Sequence, residues 1–496
     1  MQGTAWALVA PIAAIILAIL TKEVYISLFS GVFIASILYC NFNLLNSINT
    51  TFNVITQSVD EKNMKIILLL VLLGTIVVLV NKSGGTKAYG KLASKKIKTK
   101  KSSLLTTQLF AIALFIDDYF GCLTTGNVMN PITDKNKVSR SKLTYVIHST
   151  VVPICMLMPI SSWAAAIIGS LEKSGANDGF QLFCEIIPYN YYCILALIMV
   201  FVTSAFNINY SKMLIHENNA EKGDIYSNNK KSNEFTFEKS ETTTSKGKII
   251  DILIPIMSLI VFCIIGLFLD KQYNTDNGLL LGAFISLIVT FFLYIPRKIM
   301  TLKDFLNSIS EGFKEMAPAI IILTLAWSLN KITSDREYMY IGKFISEVIS
   351  KSSSYTVLIP FILFVLSIFL SISTGTSWGT FSMLIPITFS IFPLGSRLLL
   401  LSIAAVLSGS ACGDNISLIS DTTVMSCSGT KCTIVNHIST QLPYAALAAS
   451  ISALNFLLAG FIQSQIISLI LAIGLLLVIL FAIKVFHQKA PKPMIK

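Results

Sequence analysis

The chain has 496 residues, 54% of them hydrophobic and 13% charged, with a mean hydropathy of +0.72. Its apolar runs repeatedly reach the length needed to cross a hydrocarbon core of roughly 30 Å, which excludes an ordinary soluble domain and indicates an all-α polytopic membrane protein. The formal net charge of +12 does not point to nucleic acid, because its densest cluster, Lys82 to Lys101, lies between two apolar runs, where the positive-inside rule puts a cytoplasmic loop.

Taken in chain order, Met1 to Thr21 has no basic n-region and no small-residue cleavage site, so its apolar run reads as a first span and not as a cleaved signal. Spans are expected at about 4–21, 24–40, 64–80, 143–170, 187–205, 249–269, 278–295, 317–333, 397–424 (interrupted), 434–459 and 464–486. Segments 102–134 and 352–394 behave differently. Lysines crowd the entry to the first, and Lys135, Lys137, Arg140 and Lys142 leave it, so both ends want the cytoplasm and the segment reads as a re-entrant hairpin. The polar stretch 207–248, rich in Lys, Glu, Asn, Ser and Thr, cannot bury a core and reads as a flexible cytoplasmic linker. The nine cysteines are scattered through apolar segments without metal spacing and read as free thiols, Cys427 and Cys432 being the one nearby pair.

The two halves resemble each other. SLFSGVFIASILY (27–39) matches GLLLGAFISLIVTFFLY (278–294), and LLNSI (44–48) matches FLNSI (305–309). Asn81-Lys82 recurs as Asn330-Lys331, Tyr89-Gly90-Lys91 as Ile341-Gly342-Lys343, and IDDYFGCLTTGNVMNPI (116–132) as SISTGTSWGTFSMLIPI (371–387). Matches in one order at a near-constant offset indicate an internal duplication. Five full crossings plus one hairpin per half would invert the second half against the first. This is the plan of secondary transporters with a midplane site between broken helices. The expected division is 1–206 as first repeat, 207–248 as linker, 249–460 as second repeat and 461–496 as an extra span with a basic tail. The N-terminus is expected outside and the C-terminus in the cytoplasm, with Glu172, Asp178 and Glu185 on outer loops.

Asp117 and Asp118 stand halfway along the first hairpin, near its tip and near the midplane. A lone acid there costs about 2.5 to 3.5 kcal/mol, which is tolerated when it faces protein or water. Two adjacent carboxylates resist ionising together and so can hold a proton or a cation; alternatively, one simply caps a half-helix. Thr124 and Asn127 follow on the same arm as candidate binders. The second tip, STGTSWG, has no acid; its Thr374, Thr376 and Ser377 hydroxyls suit an alkali cation or a small polar head group, or bond back to helix carbonyls. Asp117, Asp118, Asp414 and Thr374 are the expected Na+ ligands.

After each hairpin comes a span with a polar break. The first carries His148, Ser149, Thr150, Pro153, Pro159, Ser161 and Ser162; the second, SGSACGDNISLISDTTVMS, carries Asp414, Asn415, Ser417, Ser420, Asp421 and Thr422. So many small and polar residues make a poor helix, and unwinding is expected in this stretch, with Asp414 and Asn415 about where Pro159 and Ile160 fall in the first half. His148 and His437 read as caps or interface residues as readily as titrating groups. Asp134 and Arg140 could pair as a gate or as a structural ion pair.

On these residues the sequence resembles the NhaC family of sodium/proton antiporters, within the broader ion-transporter superfamily. The stretches that carry the resemblance are DDYFGCLTTGNVMNPITDKNKVSRSKLTYVIHSTVVPICMLMPISSW, STGTSWGTFSMLIPI and GDNISLISDTTVMSCSGTKCTIVNHISTQLPYA. The resemblance implies extrusion of Na+ in exchange for H+ or, in some members, exchange of small carboxylates such as malate and lactate. It also implies a scaffold-plus-transport-domain fold in the cell membrane, often dimeric, with elevator-like movement and no cofactor. By position, the hairpin carboxylates are Asp117 and Asp118, the polar second tip is Thr374, Thr376 and Ser377, and the late acids are Asp414 and Asp421. Two departures bear on proton stoichiometry and substrate: His148 stands where relatives commonly carry Asp, and Asn415 where they commonly carry His.

Other classes fare worse. No G-x-x-x-x-G-K-[ST] loop is present, which argues against a primary pump. Gly413-Asp414 lacks the glycine two residues earlier that a G-x-G-D aspartyl protease element needs, and an inverted repeat with two hairpins is not required for hydrolysis; ion flux that saturates at low turnover would dismiss a channel.

Overall fold

The computed structural model describes residues 2–489 except 22, 86–87, 89–96, 228–246, 274–276, 341–343, 345–352, 419 and 463–464. The Tyr89-Gly90-Lys91 and Ile341-Gly342-Lys343 match, half of the 82–101 lysine cluster and residues 228–246 of the 207–248 stretch lie outside the described residues. Every regular element described is helical. Five helices are long and apolar enough to cross a membrane alone, and eight if each bent pair counts as one span, with five shorter apolar helices besides.

Helices α1 (Val9–Thr21), α2 (Val24–Tyr39), α3 (Leu44–Ser58) and α4 (Glu61–Lys82) pack with α12 (Ile250–Tyr273), α13 (Gly278–Tyr294) and α14 (Leu302–Ser334) as one bundle. Sequence reading expects α4 as a span. It starts at Asp60, whose carboxylate accepts from the Asn63 amide at 3.0 Å. Glycines bring α4 and α14 together: a Cβ on Gly74 would sit 2.6 Å from the Gly312 carbonyl oxygen. Two differences from the expected spans appear here. α3 is amphipathic, so a hydropathy window misses it, and α14 begins fifteen residues before the expected 317 because a Thr301–Asp304 capping box starts it at Leu302.

The second bundle holds the hairpins. α5 (Lys100–Ala113) and α6 (Asp118–Lys135) form the first; α15 (Ile359–Thr374) and α16 (Ser377–Ile391) form the second, turning at Gly375 with φ +69°. α7 (Arg140–Leu157) and α8 (Ser162–Ser174) are the two parts of a span bent by 42°. α17 (Arg397–Ile416) and α18 (Asp421–Thr430) follow the second hairpin in the same way. α9 (Gly179–Ile186), α10 (Tyr191–Ala205), α11 (Ser211–Glu221), α19 (Ile434–Ile462) and α20 (Gln465–Lys489) complete it. The order helix, amphipathic helix, span, hairpin and broken span thus occurs once in each half, the amphipathic and spanning parts of the second being continuous in α14. The hairpins and broken spans interlock crosswise: α6 packs on α18, and α8 on α16. The two bundles meet along a seam of α1 with α15, α14 with α16, and α4 and α14 with α8.

The expected unwinding falls inside the polar stretch but after Asp414 and Asn415: both remain helical in α17, which ends at Ile416, and α18 starts at Asp421. The neighbouring small residues, read as helix-weakening, instead allow close packing: a Cβ on Gly413 would lie 2.6 Å from the Ile368 carbonyl oxygen of α15. The linker expectation is corrected: the proximal part of 207–248 is folded, with α11 lying on α7 and α19. Its polar side chains find partners there, which composition alone could not foresee.

Candidate ion-binding site

The site forms where the two breaks of the first half meet the break of the second. α5 ends at Ala113 and α6 starts at Asp118, so residues 114–117 leave backbone groups without helical partners. The Ser162 amide, first in α8, donates to the Ile116 carbonyl at 2.8 Å, and the Cys155 thiol donates to Phe115 O at 3.2 Å. Asp117 is the N-cap of α6. Its Oδ1 accepts from the Phe120 amide at 3.0 Å and its Oδ2 from the Ser162 hydroxyl at 3.1 Å. Capping, one of the two readings of this pair, therefore holds for Asp117. Asp118 is as deeply buried, and neither of its oxygens has a donor in good hydrogen-bond geometry; the Trp163 indole N–H lies beside it and eases its charge at longer range. Both acids lie at the positive end of the α6 dipole.

Asp414 closes the site from α17. Its Oδ1 accepts from the Ser420 hydroxyl at 2.8 Å and its Oδ2 from Thr422. Thr422 Oγ1 is also 2.9 Å from His148 Nε2, and His148 Nδ1 is 2.9 Å from His437 Nε2. With Asp414 ionised and both imidazoles neutral, the proton positions follow. Thr422 gives its hydroxyl proton to Asp414, so His148 Nε2–H donates to Thr422. His148 Nδ1 is then an acceptor, and His437 Nε2–H donates to it. The buried chain His437, His148, Thr422 thus directs three donors toward one carboxylate. Asp118 lies within electrostatic reach of both Asp117 and Asp414. At the edge, Tyr119 donates to the exposed Asp421 at 3.2 Å.

The remaining expected residues divide. Ser162 and Thr422 are in the cluster. Asn415 is one residue from Asp414 but donates to the Tyr192 hydroxyl at 3.2 Å. Ser161 caps α8, and Ser417 ties to Ile372 O at 2.9 Å. Thr374 bonds back to Leu370 O at 2.9 Å, Ser377 donates to Ser410 O at 2.9 Å, and Thr376 is the N-cap of α16, so the second tip is held by helix carbonyls. Ser149 and Thr150 are buried on α7, Thr124 is buried on α6, and Asn127 is exposed; Asn130, not Asn127, crosses to α18, donating to Gly429 O at 2.7 Å. Asp134 and Arg140 do pair, at 2.7 Å, and Arg140 also donates to Thr430 O at 2.8 Å. Among the described residues, no three His, Cys, Asp or Glu side chains converge as a cage for a metal ion. The sequence reading passes over Tyr119, Trp163 and Tyr192. An aromatic next to an intramembrane acid is the one signal that points to Tyr119.

Residues 154–461 match the model of the Na+/H+ antiporter family. The chain belongs to that family. A relative from Haemophilus influenzae, described as an uncharacterized protein, is 34% identical over 97% of this chain and 96% of its own length. The malate-2H(+)/Na(+)-lactate antiporter of Bacillus subtilis is 27% identical over 42% of this chain and 45% of its own. Among solved structures, Neisseria gonorrhoeae MtrF, described as illuminating a class of antimetabolite efflux pumps, covers 85% of each chain at 13% identity and a TM-score of 0.39. The membership makes this chain a multi-pass transporter and not an enzyme, and the NhaC resemblance agrees with it.

Proposed function

We propose that the protein is a secondary active antiporter that exchanges Na+ for H+, with Asp117, Asp118 and Asp414 as the groups for which the two cations compete. The observation that carries this reading is Asp118: a buried carboxylate with no donor in good hydrogen-bond geometry, only the Trp163 indole N–H beside it and two other carboxylates within electrostatic reach, is best tolerated with a proton or a cation. Na+ prefers oxygen ligands, and Asp118 with Asp414, together with Thr374 from the second tip, would supply them. Competition for one set of oxygens supplies the coupling, since only a loaded or protonated site is free to cross. The inverted arrangement of the two halves belongs to the same proposal.

A second reading, exchange of small organic acids, rests on two observations. The B. subtilis relative is named for malate and lactate. The N-terminus of α16 carries no acid, so its dipole is free to receive a carboxylate. Purified protein in proteoliposomes with an internal pH dye separates the two. A Na+ pulse that moves protons in the unmodified protein and not in Asp118→Asn supports the first. Silence to Na+, Li+ and K+ with a response to malate or lactate supports the second.

A further inference from the structure

The seam between the two bundles is polar at one rim, where the start of α4 meets the ends of α8 and α14. α8 ends in a left-handed cap: Gly175 has φ +119°, and its amide bonds Glu172 O at 3.1 Å while that of Ala176 bonds Leu171 O at 3.0 Å. This stop leaves Lys173 in the last turn of α8, at the negative end of that helix, facing Asp60 at the positive end of α4. Lys173 Nζ lies 2.5 Å from Asp60 Oδ2, and Asn330 of α14 donates to the Lys173 carbonyl at 3.2 Å. One residue of the second bundle is thus bonded to two helices of the first. Beside it opens a cavity of about 410 Å³ lined by Asp60, Asn63, Lys173, Asn330, Lys331 and Asp335.

The character of these contacts separates them from the ties inside each bundle. α4 and α14 are held by a glycine crossing with no room for a methyl group, and α15 and α17 by another. Such packing permits no sliding. The rim pair, in contrast, borders water: the Asp60 side chain is 46% exposed and that of Lys173 is 18% exposed. An ion pair so placed can be exchanged for hydration at little net cost, so it closes a gap without fastening it permanently. Burial opposes the charge of Asp60, but Lys173, the Asn63 amide and Lys331 outweigh it and hold the carboxyl below its usual range, so Asp60 is ionised around neutral pH.

We propose that Asp60 and Lys173 form a latch across the seam, closing this rim over the cavity and parting each time the second bundle moves against the first. This rests on the transport reading above. Asp60 and Lys173 are positioning residues: neither touches the carboxylate cluster, and they set which side of the seam is open.

The test uses the full chain carrying Asn63→Cys, a position buried in the cavity wall, and a membrane-impermeant maleimide. The chain with Asn63 intact gives the background of the native thiols. Asp60→Asn keeps a capping oxygen for α4 and removes the charge. Placed on the Asn63→Cys chain, it is expected to raise the labelling rate at position 63 several-fold, as is Lys173→Met, whereas the swap Asp60→Lys with Lys173→Asp returns it toward the parent rate. In flux assays the single variants change the half-saturating cation concentration, and the swap restores it. A labelling rate unchanged by both single variants overturns the latch, as does a swap that labels like the singles. An unmodified protein that moves no cation or organic acid overturns the transport reading instead, and leaves the labelling comparison intact.

Discussion

Asp117 and Asp118 are neighbours with opposite circumstances. Asp117 spends both oxygens on the protein, one on the α6 cap and one on Ser162; Asp118 has only the Trp163 indole N–H beside it, outside good hydrogen-bond geometry. Substitution should therefore separate them. Asp117→Ala removes an N-cap, worth about 0.5 to 2 kcal/mol, and lowers Tm in detergent, whereas Asp117→Asn keeps the acceptor and most of the stability. Asp118→Asn removes an uncompensated buried charge, so Tm is expected to hold or rise while cation-driven flux falls at least tenfold. Thermal unfolding beside proteoliposome flux on the same preparations checks both; a Tm loss in Asp118→Asn equal to that in Asp117→Ala would show a partner for Asp118 in the resting fold. That these acids matter is legible in the sequence, because hydropathy makes an intramembrane Asp-Asp conspicuous. Which of them is satisfied is not, since Ser162 lies 45 residues away and only the bend between α7 and α8 brings it back.

Among elements, the segment around α11 departs most from its composition. Ile208, Tyr210 and Met213 bury in the hydrophobic core, and the segment is also bonded to α7 and α5 at several points. Glu217 accepts from the Ser139 amide at 2.9 Å and pairs with Lys100 at 2.6 Å, Ile225 O receives the Arg140 amide at 2.9 Å, and His216 Nδ1 is 3.0 Å from the Ser141 hydroxyl. Burial pushes the His216 imidazole below its ordinary 6.5, against the pull of Glu217 and Asp224, with Lys212 adding to the depression. The sign follows: docked His216 prefers to be neutral, so an undocked segment binds more protons as pH falls through about 6.5, and docking weakens in acid. Hydrogen exchange over residues 208–226 is expected to quicken between pH 7.5 and 5.5, and less so in His216→Gln. Equal pH dependence in the variant would remove His216 as the cause. Polar composition reads as a linker because such a segment has no core of its own; here its partners belong to helices already folded.

At the scale of the whole molecule, the two bundles and their seam give the site its place. Hairpin tips and helix breaks from residues near 117, 162 and 414 lie together because α6 packs on α18 and α8 on α16, a crosswise exchange between the halves. The sidedness expected from charge can be checked directly. With an impermeant maleimide on intact cells, Asn177→Cys, on the loop near Glu172 and Asp178, is expected to label, and Lys137→Cys, among the basic residues after α6, only after permeabilisation. Both positions are exposed, so the reverse pattern would invert the proposed orientation. The sequence alone determined the all-helical membrane class and the family, because hydropathy and local motifs act over a few turns of chain and need no partner to be read. Tertiary structure decided that Asp414 stays helical, that two histidines and Thr422 line up behind it, that the second tip is held by Ser410 O, and that Lys173 reaches Asp60. Each of these joins residues from 6 to 289 positions apart, and a contact at such separation exists only after whole helices have packed.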